Sequence, residues 1–165
     1  MSMQSRGIND LLCYGDNRDV VRNLIGCYEK WKDQPSEIVE DLRGYDINTQ
    51  CESIFSYLIE NTQYKLDTVG KQYIKSPARL LSDGTGDCKS LTMFVSCCLH
   101  CLGIKHIIRF VNFDGGGQFT HVYPVAVDGN GKEIVLDACE KDESGTPIYD
   151  YAREFRRKKD FIYNE

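Results

Sequence analysis

The sequence contains no run of about 18 consecutive apolar residues, and its start, MSMQSRGINDLL, carries no long apolar stretch leading to a small-residue cleavage site. Neither a membrane-spanning helix nor a secretory leader is therefore expected. Basic charge is also scarce: 20 Lys and Arg stand against 25 Asp and Glu, a net charge of −5. Nucleic-acid binding normally rests on a basic surface, so that class is disfavoured. The one basic cluster, Arg153, Arg156, Arg157, Lys158 and Lys159, is interrupted by Glu154 and Asp160 and reads as the solvated face of a helix. Internal repeats and low-complexity linkers are absent too, which leaves 165 residues, 41% of them hydrophobic, as one expected domain spanning residues 1 to 165.

Cysteine is plentiful, yet its eight positions, Cys13, Cys27, Cys51, Cys88, Cys97, Cys98, Cys101 and Cys139, lack the spacing of a small disulfide framework. Several fall on apolar helical stripes, as buried free thiols do. A reducing, cytoplasmic setting is expected. Cys97, Cys98, Cys101 and His100, with Cys139 as a further ligand, could be read as a metal site. Zinc-binding C-x-x-C pairs usually sit in turns, however, and Cys98 and Cys101 lie within a helical stripe, so packing is the expectation and no metal or cofactor is assigned.

The stretch that organises the chain is Leu80 to Gly103, LLSDGTGDCKSLTMFVSCCLHCLG. A glycine-punctuated turn, Ser82 to Asp87, runs into Cys88, which opens an apolar helix with Leu91, Phe94, Val95, Cys98 and Leu102 on one stripe. A cysteine in the first turn of a helix sits among unpaired N–H groups at the positive end of the dipole, which favours its thiolate. A thiol nucleophile also needs a base, and the base a third group to orient it. His121 lies in a strand-like run, Phe119 to Val127, and Asp137 in the next, Lys132 to Cys139.

The remaining elements follow from periodicity and caps. Val20, Val21, Leu24, Ile25, Tyr28 and Trp31 predict an amphipathic helix from Asn17 that stops before Pro35, after a loose arm over residues 1 to 15. Ile38, Val39 and Leu42 allow one or two further turns. Thr49 and Glu52 predict a capping box for a helix reaching about Thr62, followed by irregular chain from Tyr64 to Ser76. Lys105 to Phe113 adds a strand, and Tyr149 to Lys159 reads as a terminal helix. Gly115-Gly-Gly117 lacks the strand-to-helix setting of a phosphate loop and is expected to form a mobile rim near His121.

Strand alternation imposes a test on His121 and Asp137, which must share a face to meet. Pairing Val127 with Gly131 sets them directly opposite each other and predicts a three-residue loop or a bulge within Asp128 to Gly131.

Gly86-Asp87-Cys88 opening an apolar helix, then a His121-Val122-Tyr123 strand, then a Leu136-Asp137 strand end resemble the transglutaminase-like cysteine peptidase superfamily. With Gln72-Tyr-Ile-Lys-Ser-Pro77 and Leu102-Gly103-Ile104, the similarity is nearest to small proteins of this type from bacteria and bacteriophages, over about Thr49 to Cys139. The resemblance implies an α+β, papain-related fold in which the nucleophile-bearing helix packs on an antiparallel sheet, with N-terminal helices outside the matched core. It also implies a Cys88–His121–Asp137 triad, an acyl-enzyme intermediate, and a peptide, protein or other amide substrate. Gln72 is the candidate oxyanion donor beside the backbone N–H of Cys88, with Tyr73 or Asn112 as alternatives. Animal crosslinking enzymes carry Gly-Gln-Cys-Trp where this chain has Gly-Asp-Cys-Lys, so hydrolysis is expected before amine transfer. A virion location would go with a phage origin, and a non-catalytic assembly module that keeps the fold is the alternative from another functional class.

Overall fold

A computed structural model describes residues 17–66 and 73–165. The expected arm over residues 1 to 15 and the oxyanion candidate Gln72 lie outside the described residues.

Side-chain caps set three of the helix starts. Helix α1, Asn17–Trp31, buries Leu24, Tyr28 and Trp31, the stripe its periodicity predicts. A short α2, Ser36–Val39, and a 3-10 turn, Glu40–Leu42, follow as expected. Helix α3, Ile47–Asn61, begins earlier than the expected capping box: Asp46 is the cap and accepts the Thr49 N–H at 2.7 Å. Asp46 is already extended (φ −139°, ψ 172°) and its short carboxylate reaches the third helical residue, leaving Glu52 to accept from the Asn48 amide.

Helix α4, Pro77–Asp83, departs from the expectation. Pro77 does force Ser76 out of the helical region (ψ 160°), but that makes Ser76 an N-cap, accepting the Arg79 N–H at 3.2 Å, with proline at the first helical position. Gly84 closes this helix in the left-handed region (φ 71°). A two-residue parallel pair, β1 (Gln63–Tyr64) with β2 (Thr85–Gly86), then leads into helix α5, Cys88–Cys101. Eleven consecutive residues of α5, Lys89 to Leu99, are buried, so it is enclosed on all sides.

Strands β3 (His106–Asn112), β4 (His121–Val127), β5 (Glu133–Val135) and β6 (Arg157–Tyr163) form an antiparallel sheet in the order β5-β4-β3-β6. The expected terminal helix is therefore replaced by extended chain and a strand. Helical propensity in this charged segment yields to the need to pair the free edge of β3, and period-two alternation sends Phe161 and Tyr163 inward against Phe110 and Tyr28. Strand β5 is shorter than the Lys132 to Cys139 run: after the Leu136 N–H reaches Pro124 O at 3.0 Å, the chain turns away at Asp137, whose carboxylate accepts the Cys139 N–H.

One face of the sheet packs on the helices. Ile108, Phe110 and Val122 meet α1 and α5, while Ala126, Ile134 and Leu136 meet α3, α4 and α5. The other face, with Ile107, Val111, Tyr123, Val125 and Val127, is covered by the segment carrying Ala152 and Phe155. On that face Arg109 of β3 bridges the two outer strands, bonding Asp160 at 2.9 Å and Glu133 at 2.9 Å. On the helix face His106 is wholly buried between Ile104 O and the Tyr28 hydroxyl, and burial pushes its pKa down to about 4.

Candidate active site

The tip of α5 is built by close packing and a buried cap. Gly86 lies so near its neighbours that a Cβ there would meet Leu80 Cδ1 at 2.7 Å and Ser90 Cβ at 2.9 Å. Only glycine lets the β2 strand enter the helix along this path. The Lys75 N–H donates to Ser90 Oγ at 3.0 Å and Lys75 Nζ to Thr85 O at 2.7 Å, fixing the incoming chain on both sides. Asp87 caps the helix, accepting from the Lys89 N–H at 3.0 Å, and its other oxygen is held by Lys89 Nζ in a buried ion pair. Cys88, half-buried, is the first residue of the helix.

His121 opens β4 and Asp137 follows β5. The β4–β5 register pairs Val125 with Val135 and Val127 with Glu133, and the Asp128 N–H bonds Lys132 O at 2.9 Å. The connection is thus a three-residue loop, Gly129 to Gly131, with Gly131 in the left-handed region (φ 81°). Its length is as predicted, but the pairing is displaced by two residues from the expected one. His121 and Asp137 share a face as diagonal neighbours rather than direct partners. His121 Nε2 and Asp137 Oδ2 are 2.7 Å apart, with 11% and 3% of their side chains exposed.

Burial opposes a charge on His121, but the hydrogen bonds and negative charges of Asp137 and Cys88 outweigh it and push the pKa up to about 10. Because Nε2 is engaged by Asp137, Nδ1 is the nitrogen left to interact with the Cys88 sulfur. Phe113 stacks on the imidazole with ring centroids 5.7 Å apart, and the Arg153 guanidinium lies 4.2 Å from the Phe113 ring centroid, closing that side.

The glycine-rich rim is tied down rather than loose. The Asn112 amide donates to Gln118 O, its oxygen accepts the N–H groups of Asp114 and Gly115, and Arg157 Nη1 donates to Gly116 O at 2.7 Å. The Asn112 oxygen and one of its amide N–H groups are thus committed to the rim. Tyr73 is half-buried in the segment before α4. The cysteine cluster on α5 is packing, in keeping with its helical stripe: Cys97 and Cys98 enter different core clusters, and burial drives both thiols far above their usual range. His100 meets Asp33 at 3.0 Å, and the Cys101 thiol donates to Lys32 O at 3.2 Å.

Two residues reach the site in ways the sequence does not show. Tyr64, on β1, has its phenol raised first by burial and then by the nearby Cys88, Cys139, Asp87 and Asp137. Cys139 has its thiol raised by burial, by Asp137 and by Cys88. No periodic pattern marks a two-residue strand, and Cys139 becomes a neighbour of His121 only through the turn after β5.

No protein-family model and no curated protein sequence matches the chain. Solved structures do. A candidate protease from Parabacteroides distasonis superposes with a TM-score of 0.60 at 11% identity, over 74% of this chain and 26% of its own. A candidate cysteine protease from Cytophaga hutchinsonii gives 0.52 at 12% identity, over 79% and 50%. Legionella pneumophila LapG, also solved bound to calcium and after EGTA treatment, gives 0.52 at 17% identity, over 93% and 86%. The chain thus spans about a quarter and a half of the lengths of the first two. At these identities the likeness defines the fold, which is the α+β fold of transglutaminase-like cysteine proteases.

Proposed function

We propose that the chain is a cysteine hydrolase that cleaves peptide or other amide bonds through Cys88, His121 and Asp137. The observation that carries this reading is the 2.7 Å bond between His121 Nε2 and Asp137 Oδ2, with Cys88 acting on the same imidazole from the tip of α5. The bond fixes the ring, and Asp137 is itself fixed by the Cys139 N–H at 3.0 Å.

The Cys88 sulfur, its proton already held by His121 Nδ1, attacks the substrate carbonyl carbon. The carbonyl oxygen, now negative, meets the Cys88 N–H, one of the first-turn donors without a carbonyl partner inside the helix. His121 then gives its proton to the leaving amine as the C–N bond breaks, leaving a thioester on Cys88. Water attacks the thioester, His121 takes its proton, and the acid leaves as the C–S bond breaks. Gln72 is the side-chain donor proposed to join the Cys88 N–H at the oxyanion.

The test is competitive alkylation with iodoacetamide at neutral pH, read residue by residue by mass spectrometry. Cys88 is expected to react at least about tenfold faster than Cys101 or Cys139, with the advantage lost in His121→Ala. Labelling of Cys88 at the same rate in both proteins would refute the reading.

A further inference from the structure

The mechanism does not use one nearby group, the thiol of Cys139. His121, Asp137 and Cys139 each offer one donor atom, a ring nitrogen, a carboxylate oxygen and a sulfur, and these three atoms lie within 4.8 Å of one another. Among the described residues they are the one such convergence of three metal-ligating side chains.

The geometry points to a binding site for a thiophilic divalent cation, Zn²⁺ above all, formed by His121, Asp137 and Cys139, whose occupancy switches off the proposed hydrolase by capturing its imidazole. The inhibitory half of this inference rests on the function proposed above. The binding half does not.

The donor set argues for zinc over harder cations. One thiolate, one imidazole and one carboxylate form a mixed soft and borderline set, whereas calcium and magnesium require several oxygen ligands. A tetrahedral zinc with bonds of about 2.0 to 2.3 Å holds its donors about 3.3 to 3.8 Å apart. His121 Nε2 and Asp137 Oδ2, now 2.7 Å apart, would open by about 0.6 to 1.1 Å, and the sulfur, within 4.8 Å of both, would close in by at most about 1.5 Å. The backbone already orients the ligands: the Cys139 N–H holds Asp137 Oδ1, leaving Oδ2 for the cation, and the turn keeps Cys139 beside it. Three protein ligands leave a fourth position for water.

Protons balance simply. The cation replaces the proton shared by His121 Nε2 and Asp137 Oδ2 and the proton of the Cys139 thiol, and both go to solvent. No electron moves. The metal-bound ring has given up the Nε2 proton and is drawn toward Asp137 and Cys139, so it no longer offers the Cys88 sulfur a charged partner, and nucleophilic attack is suppressed while the metal stays.

Cobalt serves as the spectroscopic probe, because a cobalt–thiolate bond adds a charge-transfer band in the near ultraviolet that oxygen and nitrogen ligands do not. The full chain, stripped of metal, is titrated with Co²⁺ and then Zn²⁺ in three forms: unaltered, Cys88→Ala and Cys139→Ser. One equivalent of cobalt with the thiolate band is expected in the first two, displaced by zinc. Cys139→Ser should lose the band and bind zinc at least about tenfold more weakly, while its Cys88 alkylation rate without metal is retained. Zinc should suppress that alkylation in the unaltered chain and spare it in Cys139→Ser; calcium should do neither. Persistence of the thiolate band in Cys139→Ser, or absence of stoichiometric binding in Cys88→Ala, would overturn the site. If Cys88 shows no enhanced alkylation yet cobalt binds through Cys139, the metal site stands and the hydrolase reading alone falls. Unchanged thermal unfolding of Cys139→Ser certifies that a lost band is not a lost fold, and Cys139→Ala provides a second variant should serine perturb the turn.

Discussion

The proposed chemistry turns on what a single carboxylate does to a single ring. Asp137 is almost wholly enclosed, so its bond to His121 is not shared with water, and the imidazole is held charged against the effect of burial. The proton that His121 hands to the leaving amine in the proposed reaction is therefore retained at neutral pH. In the proposed reaction turnover falls as pH rises through about 10, where His121 loses that proton. Asp137→Asn removes the strongest of the contributions that raise the pKa, so the basic limb should move to lower pH. The neutral-pH rate should also fall by up to about ten-thousand-fold, as when the orienting carboxylate of a serine triad is replaced by its amide. A pH profile of hydrolysis of a chromogenic ester or peptide measures both, and a profile identical in the two proteins would remove Asp137 from the mechanism.

At the scale of elements, the site depends on how β2 runs into α5. Gly86→Ala should destabilise the fold by about 1–3 kcal/mol, the usual range for overpacking, because its methyl group would collide with Leu80 and Ser90. Gly129→Ala, where a Cβ meets nothing within 4 Å, is the matched control. Urea denaturation of the two variants decides the matter: equal midpoints would mean that the turn yields freely. How much is legible in the sequence also differs by element. Helix α5 can be read because its stripe is long and its start carries Asp87 before Cys88. The same-face placement of His121 and Asp137 follows from strand parity, which survives a two-residue displacement. Helix α4 is hidden because a proline points both ways: backward it restricts Ser76, and forward it serves as a helical first residue, which periodicity over seven residues is too short to reveal. Strand β6 is hidden because its reason is remote: nothing in RRKKDFIY announces that β3 has an edge to fill.

For the whole molecule, the sequence resemblance covers about Thr49 to Cys139, yet α1 and β6 lie outside that stretch and contribute to the same core. Tyr28 of α1 touches His106 of β3 and Tyr163 of β6, so three distant parts of the chain meet in one cluster. Every residue of β3 is buried, from His106 to Asn112, and β6 supplies the pairing along its whole length. A chain ended after residue 150 would bare that row of N–H and C=O groups beside apolar side chains, the template on which strands of other molecules add. Such a truncation should collect in the insoluble fraction, and supplying residues 151–165 as a separate peptide during refolding should return part of it to solution. A soluble, cooperatively unfolding truncated protein would contradict this account. The order of synthesis gives the feature its further meaning. The ribosome delivers α5, β3, β4 and β5 before the strand that seals them, so every nascent copy passes through an interval in which the proposed nucleophile and base have been made but their scaffold is still open on one side. The proposed activity would accordingly arrive only with β6, and a cell short of chaperone capacity would lose it to aggregation before it lost it to any failure of the chemistry.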